Sequence, residues 1–289
     1  MLQNIVTVTY EEDFKYVLLQ AESIQKYLVS EVPFTHWVVI NDPTITNIVP
    51  YRLQLEKYYN NHTCKLKIFQ QPFFKNKFIS KSSDGNRNVC EIGGTESQQI
   101  CKLEIAKYIK DDYLVLDSKN FFIKPVNLQY WENKIGSGEY INTDTNYFWK
   151  NCIIEYCKKL NIDIPKYVCN PVTPFKIQLN EDMFNTDFKA LIENSDTYSE
   201  FILYWLKYIN DVTPKLDKEY ICFSTFFPFD SKGSIHNPAE LLAYKIPTID
   251  NDPNICVSGF HREFIKLCKP EHIDIINEWL KQKEIEFRF

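Results

Sequence analysis

Glycine is scarce here, with 7 in 289 residues, while 15% of the side chains are aromatic and 44% hydrophobic. A chain with so little of the most flexible residue and so many rings is not an extended disordered segment, and its packing is expected to be aromatic-rich. No run of about 18 apolar residues occurs, so no membrane-spanning helix is predicted. The start, "MLQNIVTVTY", lacks a basic stretch leading an apolar one, as a secretory leader would have. Paired cysteine motifs are also missing. The nine cysteines, at positions 64, 90, 101, 152, 157, 169, 222, 256 and 268, are odd in number and form no CxxC, which excludes a readable disulfide framework or zinc knuckle. A reducing cytoplasm is the expected location. The 33 basic residues are scattered and the formal charge is −5, so no basic field that would draw nucleic acid is present. Internal repeats and low-complexity linkers are absent too, and a single domain over 1–289 is expected.

What is present begins as strand and helix in alternation. "NIVTVTY" (4–10) is β-branched and aromatic, and "FKYVLLQAESIQKYL" after it has apolar residues at helical spacing. "HWVVINDP" (36–43) and "CKLKIF" (64–69) repeat the strand pattern, which predicts a largely parallel sheet flanked by helices. Residues 70–94 have no clear period and read as a long loop. "TESQQICKLEIAKYIK" (95–110) reads as one helix with Thr95 as N-cap, leading into the all-apolar strand "YLVLD". Further helices are expected over 147–162, 199–209 and the C-terminus, with a break at Pro270, and further strands at "FKIQLN" and "EYICFSTFF". Asp117 falls at the carboxyl end of a buried strand, where ligand crevices of parallel sheets lie.

"YLVLDSKNFFIKP" (113–125) resembles the central strand and metal motif of nucleotide-sugar glycosyltransferases of the GT-A fold, in which a strand ends in Asp-x-Asp and an apolar strand follows. The likeness extends to "IVTVTYEEDFKYVLLQAESI", "SQQICKLEIAKYIKDDYLVLDSKNFFIKP", "SEFILYWLKY" and "SGFHREFIKL", and is similar in particular to a group of bacterial and viral proteins of that superfamily. It implies a GT-A-like fold, with a nucleotide-sugar-binding half over 1–125 and an acceptor half with C-terminal helices over 126–289. The implied activity is transfer of a sugar from a UDP- or GDP-linked donor to a glycan or other hydroxyl acceptor. A non-catalytic nucleotide- or glycan-binding protein of the same fold is the alternative.

The resemblance also implies roles for residues. Asp117 matches the first acid of the motif and His261 a C-terminal metal-ligating histidine, while Lys119 stands where the second Asp belongs. An ammonium donates and cannot ligate. Two arrangements therefore stay open: Mn²⁺ or Mg²⁺ held by Asp117, Asn120 and His261, or Lys119 with Lys102 or Arg262 supplying the metal's charge to the diphosphate. Thr7, Thr9 and Tyr10 at the first strand's end, Asn41 and Asp42 at the second's, Gln99 and Lys102 on the preceding helix, Ser118, Lys119 and Arg262 are the expected donor contacts. Glu200 is a candidate general base, or else, with Thr197, a capping box.

Overall fold

The computed structural model describes residues 1–42, 45, 47–59, 63–70, 78–81, 87–90, 95–132, 136–144, 147–192, 199–209, 223–229 and 234–289. Its principal strands are β1 (Asn4–Thr9), β2 (Phe34–Ile40), β3 (Cys64–Gln70), β4 (Tyr113–Asp117), β5 (Asn120–Phe122), β6 (Gly136–Asn142), β7 (Tyr167–Ile177), β8 (Phe223–Phe226) and β9 (Val257–Phe260). The principal helices are α1 (Phe14–Tyr27), α2 (Thr95–Glu104), α3 (Tyr147–Leu160), α4 (Glu200–Tyr204), α5 (Pro238–Asn251), α6 (Arg262–Leu267) and α7 (Pro270–Gln282).

A six-stranded sheet runs β6-β7-β4-β1-β2-β3. β1 pairs in parallel with β2 and β4, and β2 with β3, whereas β7 runs antiparallel to β4 and β6 to β7. The chain builds outward from β1 through β2 to β3, then returns to lay β4 on β1's other side. Strand order thus reverses between β1 and β4, the position at whose carboxyl ends open parallel sheets bind ligands. Val8 and Asp117 are register partners there.

Alternation explains the two faces. Leu114 and Leu116 pack with Ile5, Phe122 and Trp131, while Tyr113 and Val115 face Val6, Leu103 and Phe175. Each such fully buried aliphatic side chain contributes about 1.5–3 kcal/mol. The aromatic excess has a definite place: Phe121, Phe226, Phe260, Phe264 and Trp279 pack together behind α1 around a second sheet, β8-β9-β5. Burial pushes the Cys64 and Cys152 thiols up to about 12, so at neutral pH they act as packing groups. Among the described residues no helix is long and apolar enough to cross a membrane.

Several boundaries differ from expectation. The 95–110 helix breaks into α2 and a short turn, Ala106–Ile109, and Thr95 is already inside α2. Within 70–94, read as a loop, Phe78–Lys81 and Arg87–Cys90 pair antiparallel. The 199–209 helix changes after Tyr204 to a π-helix, Trp205–Ile209. Strands from both sides of residue 125 share each sheet, β5 pairing with β9 and β4 with β7.

Candidate functional site

β4 ends in a tight turn that steps the chain from the large sheet to the small one. Asn120 Oδ1 accepts from the Asp117 backbone N–H at 3.0 Å, closing the turn over Ser118 and Lys119. From below, Gln20 of α1 donates through Nε2 to the carbonyls of Asp117 (2.9 Å) and Asn120 (2.8 Å). β9 presses on the same turn at Gly259, where a Cβ would come within 3.0 Å of both Asn120 Nδ2 and the Lys119 carbonyl. A side chain there would force the turn to give by a few tenths of an ångström.

The Asp117 carboxylate is 42% exposed in its side chain and is met by Lys102 of α2, whose Nζ lies 2.6 Å from Asp117 Oδ1 and 2.7 Å from Glu200 Oε1. Lys102 and Glu200 are almost wholly buried, and the ammonium also lies 5.3 Å from the centre of the Phe201 ring. Burial alone would lower the Lys102 pKa, yet the two carboxylates, by charge and hydrogen bonding, hold it above the ordinary lysine value. Gln99 supports the same cluster, its Oε1 accepting from the Glu200 backbone N–H at 3.0 Å, and Gln98 donates to the Val8 carbonyl at 3.2 Å.

Beyond the turn, a second set of charges joins the end of β1 to β9. Lys119 pairs with Asp13, a fully buried carboxylate in the short 3-10 turn that follows β1. Arg262 donates to the Tyr10 hydroxyl and to Glu12 Oε2 (3.0 Å), with its guanidinium carbon 5.6 Å from the Tyr10 ring centre. Burial, and then the Asp13 carboxylate, raises the Tyr10 phenol pKa. His261 caps α6, its Nδ1 accepting from the Glu263 N–H at 3.3 Å, and its ring packs edge-on to Phe227 at 4.8 Å. Burial first, then the positive charges of Lys119 and Arg262, lowers its pKa.

Neither family models nor curated proteins match this chain.

Lys102 and Gln99 lie against the Asp117–Glu200 cluster, and Lys119, Tyr10 and Arg262 gather at the loop after β1. Other expectations need correcting. Thr7 is not at the strand end: it is fully buried within β1, donating to Gln20 Oε1 at 2.6 Å, and cannot face a donor. Thr9 is also buried, its hydroxyl directed to the Tyr10 carbonyl at 3.3 Å. Asn41 is 2% exposed and accepts from Ser97 Oγ at 2.7 Å, so it braces α2 against β2 rather than meeting a base. Ser118 points inward, its hydroxyl buried with no hydrogen-bond partner among the described residues.

Glu200 is not an open base. Ser199 is the N-cap of α4, accepting from the Ile202 N–H at 3.3 Å, and Thr197 lies outside the described residues. The Glu200 carboxylate is turned inward to Lys102, and burial denies an acceptor hydroxyl any approach to it. The proposed ligand set for a divalent ion is likewise committed elsewhere: Asp117 Oδ1 to Lys102, Asn120 Oδ1 to the turn, His261 Nδ1 to its helix. Each of these three contacts would have to be exchanged before its atom could ligate an ion. Among the described residues no group of three or more His, Cys, Asp or Glu side chains converges to hold one.

Gln20 and Asp13 were not anticipated. Gln20 could have been found as a polar side chain on the face of α1 that also carries Val17, Ala21 and Ile24, all buried. Asp13 carried no comparable signal, because an acid after a strand is an everyday turn residue.

Proposed function

We propose that the chain is a nucleotide-sugar-dependent glycosyltransferase of GT-A-like fold, with lysine and arginine in place of a metal at the donor diphosphate. The observation that carries this reading is the half-exposed Asp117 at the strand-order reversal, with Lys119, two residues on, and Arg262 both reaching the loop after β1. A crevice at such a reversal suits a nucleotide, and ammonium and guanidinium groups suit phosphate oxygens. On binding, Arg262 exchanges Glu12 and Lys119 shares Asp13 for those oxygens. In the transfer step the acceptor hydroxyl oxygen bonds to the anomeric carbon as the bond from that carbon to the diphosphate oxygen breaks. The electron pair leaves with the nucleoside diphosphate, and the hydroxyl proton passes to Asp117, the accessible carboxylate of the Lys102 cluster. Lys102 and Glu200 position that carboxylate.

A donor-consumption assay over UDP-, GDP- and CMP-linked sugars tests this. Asp117→Asn is expected to lower turnover about 10²- to 10⁴-fold. Undiminished turnover in that variant would remove Asp117 from the mechanism.

One observation favours a second reading, a non-catalytic binder: Lys102, Lys119 and Arg262 are each already matched by carboxylates, from Asp117, Glu200, Asp13, Glu12 and Glu263. Binding of a nucleotide sugar without consumption of any donor would select it.

A further inference from the structure

Beneath the Asp117 turn lies a buried neutral chain whose protons can be assigned one by one. Gln20 has two amide hydrogens, and both are spent on the Asp117 and Asn120 carbonyls at 2.9 and 2.8 Å. Its oxygen therefore faces Thr7 and must accept, at 2.6 Å, the single Thr7 hydroxyl proton. The Thr7 oxygen is left with lone pairs only, so the contact at 3.0 Å from His36 Nε2 requires that nitrogen to carry hydrogen. A neutral imidazole has one N–H, so His36 Nδ1 is bare and accepts from the Tyr59 hydroxyl. Every bond points the same way, from Tyr59 through His36, Thr7 and Gln20 to the turn. Gln20, Thr7 and His36 are all fully buried. A reversed Gln20 amide would set its oxygen against two carbonyls, so the chain admits one orientation. Ser23, one helical turn on, adds to the clamp: its hydroxyl donates to the Gln20 carbonyl at 2.7 Å and accepts from the Phe122 N–H at 3.0 Å.

We infer that Gln20 is a positioning residue that clamps both ends of the Asp117–Asn120 turn, and that Thr7 and His36 fix the orientation in which its amide can do so. The consequence for sugar transfer rests on the function proposed above; the clamp itself does not. The turn carries Asp117 to Lys102 and Lys119 to Asp13, so loosening it displaces both the proton acceptor and a phosphate-binding charge. A misplacement of about 1 Å at reacting groups can cost about 100-fold in rate.

Long-range ¹H–¹⁵N NMR on the wild-type protein reads the His36 tautomer with no variant and no ligand. The expected result is a protonated Nε2 and a bare Nδ1; a protonated Nδ1 overturns the chain. Thr7→Val removes the hydroxyl at nearly constant shape, and Thr7→Ser restores it. The valine variant should shift the backbone amide signals of residues 117–120 and speed Asp117 amide exchange about 10-fold or more, whereas the serine variant should leave them near wild type. Turn signals unmoved by Thr7→Val would overturn the clamp, as would equal disturbance by Thr7→Ser. With a donor that turns over, Thr7→Val should lower kcat about 10-fold with little change in donor KM, and Thr7→Ser should recover it. Absence of turnover with every donor sinks the transferase reading, and the NMR outcomes still decide the clamp.

Discussion

The Asp117 turn has two unlike polar networks, one on each side. Below it, Tyr59, His36, Thr7 and Gln20 form a neutral chain in which each proton has one place. Above and beside it, Lys102, Asp117 and Glu200, Lys119 with Asp13, and Arg262 with Tyr10 and Glu12 form a charged lattice. A saturated neutral network in the interior specifies one geometry. A lattice of charges graded from buried to exposed can exchange partners at its outer edge. Lys102 and Glu200 are sealed, whereas Arg262 and Glu12 are 35% and 72% exposed in their side chains. The lower network is thus the fixed support and the outer lattice the replaceable part, with Asp117 at the junction.

The largest expected effect comes from breaking the sealed end. Lys102→Met leaves Glu200 buried without its cation and should cost about 3–5 kcal/mol in urea denaturation. Adding Glu200→Gln should recover more than about 1 kcal/mol of that, the sign of a coupled pair. Next is the support's response to acid. Burial pushes the His36 pKa from 6.5 down to about 3, so the unfolded chain takes up a proton before the folded one does. The stability gained from neutral His36 is full above the unfolded value and declines as pH falls from 6.5 toward 3. By about pH 5 the loss should reach about 2 kcal/mol, read as a falling urea midpoint, and His36→Gln should flatten that slope.

Smaller effects separate the two networks further. Thr7→Val should cost about 1–2 kcal/mol through the unmatched Gln20 oxygen, and Thr7→Ser much less. Arg262→Ala should change stability by less than about 1 kcal/mol, because its ion pair is largely solvated. A stability loss for Arg262→Ala as large as that for Lys102→Met would abolish the distinction between fixed and replaceable charge.

Much of this was readable in the sequence, and the remainder has physical reasons for being hidden. β1, β2, β3 and β4 announce themselves because β-branched and apolar runs alternate with helix-spaced ones. β7 is obscured by Pro171 and Pro174, which suppress a strand signal, and β6 pairs with it through Gly136 and Gly138. α5 is disguised by Pro247 in its interior. The carboxylate at the end of β4 was foreseen from strand position alone. Its partners were not, since Lys102 and Glu200 are 98 residues apart and no local period links them. Glu200 looked like a base because acids at a helix start are common to bases and caps; only burial against Lys102 distinguishes its role.

Titration calorimetry of UDP- and GDP-linked sugars into the wild-type protein and Arg262→Ala, without added divalent metal, tests the central claim most directly. The account predicts saturable binding of at least one nucleotide sugar to the wild type, weakened about 10-fold in Arg262→Ala as one charge-assisted phosphate contact is lost. Absence of binding by every nucleotide sugar, or equal binding by the two proteins, would contradict it.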